Sequence, residues 1–287
     1  MKTVKDAYDV FRSGLKDTYS NSETDAITSL VLTDITGLNK ASLKAFTGTE
    51  LNVVQSEKLL TIIAQLKTGM PVQYILGYTD FYGLTFRVDP SVLIPRPETE
   101  ELVEWILRTI PLNNTQNILD IGTGSGCIPI TLKHNIPDSN LFGIDISSIA
   151  LQTAKHNAEV NKVNVTFIKA DALNLNEPVI ASQRYGVVVS NPPYVTMTDK
   201  QQMHHNVTDF EPHTALFVTD QNPLIFYKAI ADFATRHLIN GGYLFFEINE
   251  SLGLETVEIL NHKGFQNIEL RKDMSGKDRM IKAKWLE

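Results

Sequence analysis

The stretch "NILDIGTGSGCIPI", Asn117 to Ile130, decides the fold: a short apolar run, three glycines at alternate positions, then a second apolar run. Glycine lacks a Cβ, so Gly122, Gly124 and Gly126 let the chain turn sharply after a strand and let a ligand approach the backbone. The spacing is G-x-G-x-G. In the dinucleotide fingerprint G-x-G-x-x-G the last glycine packs the helix beside a pyrophosphate. Here Cys127 holds that position, which disfavours NAD.

Two acids extend the reading. Asp145 closes "LFGID", and a carboxylate there is placed to accept both hydroxyls of an adenosine ribose. The competing role is a cap on the following helix. Loop and acid at this spacing together point to a nucleoside-type cofactor. Asp171 in "FIKADAL" ends the next strand, where it accepts from the adenine amino group while the Ala172 N–H reaches the ring, or else caps a helix.

Around these motifs, short apolar runs alternate with helical stretches from Asn117 onward: "NILDI", "NLFGID", "VTFIKA", "YGVVVS", "GYLFFEI", "NIEL" and "RMIKAK". The alternation predicts a mostly parallel sheet with helices on both faces and ligands at the carboxyl ends of the strands. Upstream the period is helical. Val4, Ala7, Tyr8, Phe11 and Leu15 share one face, as do Ile27, Leu30, Val31 and Ile35, and "SEKLLTIIAQLKTGMP" predicts a third helix capped by Ser56 and stopped at Gly69. "YILGYTDFYGLTFRV" reads as a hairpin. The expected division is a helical domain over 1–72, a β-hairpin linker over 73–95 and a catalytic domain over 96–287.

The totals set limits. With 287 residues, 43% hydrophobic and 21% charged, the chain is an ordinary globular one of two domains. A net charge of −7 argues against a broad footprint on bare nucleic acid. Cys127 is the single cysteine, which rules out an intrachain disulfide and a zinc site built on several thiolates. No run approaches the ~18 apolar residues of a membrane span, so a cytoplasmic protein is expected.

"VVVSNPPYV", Val187 to Val195, ends a buried-type strand on an amide, two prolines and a phenol. With Asp120, the glycine loop, Asp145 and Asp171 before it, the segment from about Asn117 to Glu287 resembles the class I S-adenosylmethionine-dependent methyltransferases, whose Rossmann-like fold carries a seven-stranded, mostly parallel sheet. "PVQYILG", "FYGLTFRVDPSVLIPRPETEELV", "EPHTAL" and "DMSGKDRM" narrow the resemblance to the HemK/PrmC-type protein glutamine methyltransferases, over nearly the whole chain. The resemblance implies S-adenosylmethionine as cofactor and, as substrate, the glutamine of the GGQ motif in class 1 peptide chain release factors. It implies no direct nucleic acid partner and no membrane. It assigns the cofactor to Gly122, Thr123, Gly124, Ser125, Gly126, Asp145, Asp171, Ala172 and Asn191, and the substrate to Asn191, Pro192, Pro193 and Tyr194. After "FFEI" the chain departs from the family with Asn249, Glu250 and Ser251, a change expected to leave the methyl-transfer residues untouched.

An amide nitrogen is a poor nucleophile because its lone pair is delocalised into the carbonyl. Acceptors aimed at the NH2 orient it and oppose that delocalisation. The expected acceptors are the Asn191 side-chain carbonyl and the Pro192 main-chain carbonyl, stiffened by the prolines, with the Tyr194 ring as a π face. A DNA adenine methyltransferase poses the same chemical problem, but base flipping needs a basic groove and a recognition domain. Arg96, Glu98 and Glu100 either line the crevice or form an interdomain salt-bridge network. His204, His205 and His213 read as solvated side chains with no metal site, and the stretch from Val195 to Asn222 as a loop over the glutamine pocket. Cys127 reads as a small buried side chain.

Overall fold

A computed structural model describes residues 1–110, 115–201 and 203–287. They form two units, Met1–Gly77 with His204–Phe210, and Tyr78–Met203 with Glu211–Glu287.

The first unit is helical: α1 (Val4–Leu15), α2 (Asn21–Thr36), α3 (Lys40–Ala45), α4 (Val53–Leu66) and α5 (Val72–Leu76). In α1 the predicted face is buried at Val4, Ala7, Phe11 and Leu15, while Tyr8 lies at its edge with its hydroxyl 2.7 Å from Ser29 Oγ. These residues join Val31, Leu32, Leu43, Leu59 and Leu66 in one apolar cluster, each fully buried side chain of this size contributing about 1.5–3 kcal/mol. The third predicted helix, α4, starts before Ser56. Asn52 caps it in a reciprocal box with Gln55, which satisfies two otherwise orphaned backbone N–H groups. Because α5 follows Pro71, the helical unit runs to Gly77, past the expected boundary at 72.

The second unit opens with the hairpin, β1 (Tyr78–Phe81) and β2 (Leu84–Arg87), turning on Tyr82 and Gly83 with φ of 49° and 77°. Expected as a linker, it groups with the sheet: Phe81 and Phe86 pack edge to face and share a buried cluster with Trp105 and Ile106 of α6 (Pro97–Thr109). The alternation that follows is β3 (Asn117–Ile121), α7 (Cys127–Asn135), β4 (Asn140–Asp145), α8 (Ser148–Val160), β5 (Thr166–Lys169), α9 (Pro178–Ala181) and β6 (Tyr185–Ser190). Then come α10 (Met197–Lys200), α12 (His213–Leu216), α13 (Ile225–His237), β7 (Leu238–Glu247), α14 (Gly253–His262), β8 (Gln266–Lys272) and β9 (Asp278–Lys284), while α11 (His205–Thr208), between α10 and α12 in the chain, groups with the helical unit.

All the apolar runs singled out in the sequence are strands of one seven-stranded sheet, ordered β5-β4-β3-β6-β7-β9-β8. Neighbours from β5 to β7 run parallel, and β9 lies antiparallel between β7 and β8. All six residues of β6 are buried, as expected of a parallel strand covered on both faces. The register positions the site. Ile121 pairs with Ile144 on one side and Ser190 on the other, so Gly122, Asp145 and Asn191 leave neighbouring strands at the same level. That level is the point where the strand order reverses about β3, the place where such sheets bind ligands.

Candidate active site

A cavity of about 380 Å³ opens at these carboxyl ends, and Gly122, Gly124, Asp145, Asp171, Ala172, Asn191 and Pro193 line it. Seven of the predicted residues thus converge. Thr123 and Ser125 are buried and do not line it, and neither do Gly126, Pro192 or Tyr194. A larger cavity, about 550 Å³, lies in the helical unit between Lys5, Arg12, Lys40 and Lys44, but its Arg12–Asp25 pair is exposed and closes on itself at 2.7 Å.

The three glycines divide by role. Gly122 and Gly124 have φ of 77° and 52°, and a Cβ built on either would meet nothing within 4 Å, so together they form an open cradle. A Cβ on Gly126, with φ of 80°, would lie 2.9 Å from Ile130 Cδ1 and 3.1 Å from Ala154 Cβ. Gly126 therefore serves close helix packing. Asp145 does not cap α8, since Ser147 does so through Ala150 N–H. Its carboxylate accepts from Gly124 N–H and Ser147 N–H, each at 2.9 Å, and burial raises its pKa. Asp171 forms a local turn by accepting Leu173 N–H at 2.8 Å and caps no helix.

Asp120 is 1% exposed, and neither of its carboxylate oxygens has a hydrogen-bond partner among the described residues. Burial, chiefly, and the charge of Asp145 push its pKa up to about 7, with Thr123 offsetting only part of this. Asp120 does not itself line the cavity, but a buried acid two residues before an open glycine cradle is a counter-charge for a cationic ligand bound at that cradle. S-adenosylmethionine carries both an ammonium and a sulfonium, so the residues present fit it.

Tyr194 is held by Glu247, whose Oε1 accepts its hydroxyl at 3.2 Å, and burial together with that charge drives the phenol pKa well up. Asn249 donates from Nδ2 to the Tyr194 main-chain carbonyl at 3.1 Å and to Asp199 Oδ2 at 3.0 Å. The departure at Asn249 thus reaches the main chain of Tyr194, one of the residues that the resemblance assigns to the substrate. Asn191 Nδ2 donates to Thr99 Oγ1 at 3.3 Å, and that hydroxyl donates to Glu247 Oε2 at 2.7 Å.

Thr99 and Glu247 were missed in the sequence, although both left a signal. Thr99 falls on the apolar face of α6 with Leu102, Val103 and Ile106, and Glu247 ends an apolar strand as Asp145 does.

Arg96 pairs with the buried Glu211, which also accepts Ile94 N–H at 3.3 Å, so "IPRPETE" and "EPHTAL" are tied together inside the sheet unit. Glu100 accepts the strained Tyr82 N–H at 2.7 Å, and Glu98 stands in the first turn of α6. None of the three lines the cavity. The stretch from Val195 to Asn222 carries α10, α11 and α12, with Gln202 outside the described residues; its Pro212, Thr214, Ala215 and Phe217 line the cavity. His204 and His205 fall in the part grouped with the helical unit, and His213 opens α12. Cys127 is partly buried, and burial pushes its thiol up to about 12, leaving no reactive thiolate.

Residues 99–210 match the family described as methyltransferase small domain, and residues 6–77 the PrmC N-terminal domain. A release factor glutamine methyltransferase of Flavobacterium psychrophilum is 44% identical over 283 residues, covering 98% of each chain. One of Bacteroides thetaiotaomicron is 41% identical, covering 95% of this chain and 96% of the other. The crystal structure of a methyltransferase from Pyrococcus furiosus superposes with a TM-score of 0.53 at 17% identity, over 82% of this chain and 100% of that one, which supports the fold.

Proposed function

The chain belongs to the release factor glutamine methyltransferases, and from that membership we propose that it methylates the side-chain amide nitrogen of the GGQ glutamine in a class 1 peptide chain release factor. It is an S-adenosylmethionine-dependent methyltransferase of the class I fold. The observation that carries the substrate chemistry is the arrival of Asn191 at the cavity that Gly122, Gly124 and Asp145 line.

When bound, S-adenosylmethionine supplies an electrophilic methyl group on sulfur. The cradle at Gly122 and Gly124 would hold its amino-acid end, with Asp120 as a buried counter-charge behind the cradle, Asp145 would accept from the ribose hydroxyls, and Asp171 and Ala172 would bind the adenine. Asn191 Oδ1 and the Pro192 main-chain carbonyl accept the two protons of the glutamine NH2, hold the nitrogen in line for attack and oppose its delocalisation. The Tyr194 ring offers its face to the nitrogen as positive charge develops, a contact worth about 0.5–2 kcal/mol. No strong base is needed beforehand, because the nitrogen becomes positive on taking the methyl group and then releases one proton to water, with S-adenosylhomocysteine as the second product.

The end of the Val195–Asn222 stretch, from Pro212 to Phe217, covers the glutamine pocket, supported by Pro212, Thr214, Ala215 and Phe217, which line the cavity. The helical unit docks the release factor, a role supported by exposed Phe46, Val53 and Val54. No helix among the described residues is long and apolar enough to cross a membrane, and the proposed site of action is the cytoplasm, without contact to nucleic acid.

The test is mass spectrometry of a purified release factor incubated with this protein and S-adenosylmethionine, with DNA in parallel. One added methyl on the GGQ glutamine is the expected result. An unmodified factor beside methylated adenine would overturn the reading.

A further inference from the structure

Thr99 and Glu247 are 3% and 1% exposed, and both are packed behind Asn191 rather than lining the cavity. A threonine hydroxyl has a single proton to donate. Thr99 Oγ1 lies 2.7 Å from Glu247 Oε2 and 3.3 Å from Asn191 Nδ2. A carboxylate only accepts, so the Thr99 proton is committed to Glu247, and the hydroxyl oxygen has only lone pairs left for Asn191. The end of the Asn191 amide that faces Thr99 must then be its NH2, and Oδ1 is left free for the substrate.

Glu247 is kept in place by more than Thr99. Its other oxygen takes the Tyr194 hydroxyl at 3.2 Å, and Arg279 acts on it as a counter-charge, itself held by Asp273 Oδ2 at 3.2 Å and the Ile248 carbonyl at 3.3 Å. One buried carboxylate thus fixes both the amide and the phenol of the tetrapeptide.

We propose that Glu247 and Thr99 form a positioning relay that sets the polarity of the Asn191 amide, so that an acceptor rather than a donor meets the glutamine NH2. The relay rests on the glutamine-methylation reading. Without it the Asn191 amide is free to turn, and in the turned state its NH2 opposes the substrate NH2, donor against donor. Neither Thr99 nor Glu247 touches the reacting atoms. Their effect passes through Asn191 and Tyr194, so it belongs to turnover and not to cofactor binding.

The experiment compares Thr99→Val, which keeps the shape and removes the hydroxyl, with Thr99→Ser, which restores it, in the full chain. Methyl transfer to the release factor is followed by mass spectrometry, cofactor binding by calorimetry and folding by thermal melting. Thr99→Val is expected to lower kcat by about tenfold or more while the Kd for S-adenosylmethionine stays within about threefold, and Thr99→Ser is expected to recover most of the loss. In an Asn191→Ala background, Thr99→Val is expected to change kcat no further, since the group it orients is gone. Thr99→Ala repeats the comparison without added bulk, so the outcome stays readable if the valine variant fails to fold.

A folded Thr99→Val enzyme with wild-type kcat, equal losses for valine and serine, or losses that multiply with Asn191→Ala would each overturn the relay. If the wild-type chain itself leaves the glutamine unmodified, the functional reading falls and the relay with it. If wild type is active and the valine variant equally so, the relay alone falls.

Discussion

Replacing Asp120 by asparagine removes a buried carboxyl whose charge the folded chain compensates only in part, through Thr123. The carboxyl is raised from 3.8 to about 7 by burial and by Asp145, and its oxygens have no partners among the described residues. A raised acid binds its proton more tightly in the folded state, so stability is greatest below the unfolded pKa and falls as pH rises toward 7. Between pH 5 and 7 the penalty grows by about two pH units at ~1.4 kcal/mol each, or roughly 3 kcal/mol, and above 7 it levels off. Relaxation of the site would reduce this to about 2 kcal/mol, which for a chain of this size corresponds to roughly 4–8 °C. The amide that replaces the carboxyl does not titrate, so the Tm difference between Asp120→Asn and wild type, measured without cofactor by calorimetry, should grow by that amount from pH 5 to pH 8. The comparison cancels any fixed cost of burying the amide. Cofactor affinity of the variant at pH 8 should fall by about tenfold, because the buried counter-charge behind the cradle is lost. A Tm difference that does not change with pH would refute the reasoning, as it would mean that Asp120 is solvated or paired in the folded protein.

Asn191→Ala should lower turnover by about a hundredfold, by analogy with deleting one transition-state hydrogen bond, and leave cofactor affinity within a few fold; unchanged turnover would remove Asn191 from the clamp. The two kinds of glycine should separate. Gly126→Ala, with its Cβ crowded by Ile130 and Ala154 at positive φ, should cost roughly 2–3 kcal/mol in a melting experiment, whereas Gly124→Ala should cost about 1 kcal/mol but weaken cofactor binding measured by calorimetry by about tenfold. Arg96→Ala leaves the Glu211 carboxylate buried without its ion pair, so Tm should drop by about 10 °C, and adding Glu211→Gln should recover most of it. Val53→Lys with Val54→Lys should raise KM for the whole release factor several-fold while a short glutamine peptide is methylated as before; equal effects on both would argue against docking by the helical unit.

The local layers of this protein were written into the chain. Each strand of the sheet is a short apolar run closed by turn residues, and hydrophobic periodicity is a property of neighbours in sequence, so "NLFGID" and "YGVVVS" could be read where they stood. Placing ligands at strand ends then singled out Gly122, Asp145 and Asn191, and the cavity collects all three. What the residues could not declare is which polar groups meet across long separations. Thr99 reaches Glu247 across 148 positions and Asn191 across 92, Arg96 finds Glu211 across 115, and Asn249 holds the Tyr194 carbonyl across 55. A lone threonine on a helix face or an acid at a strand end has no periodicity to announce its partner. The partner is chosen by strand order and by a register that sets Ile121 between Ile144 and Ser190. Sequence therefore determined the elements and the residues at their tips, whereas the orientation of the Asn191 amide was decided only when the packed sheet brought one hydroxyl proton within reach of one buried carboxylate.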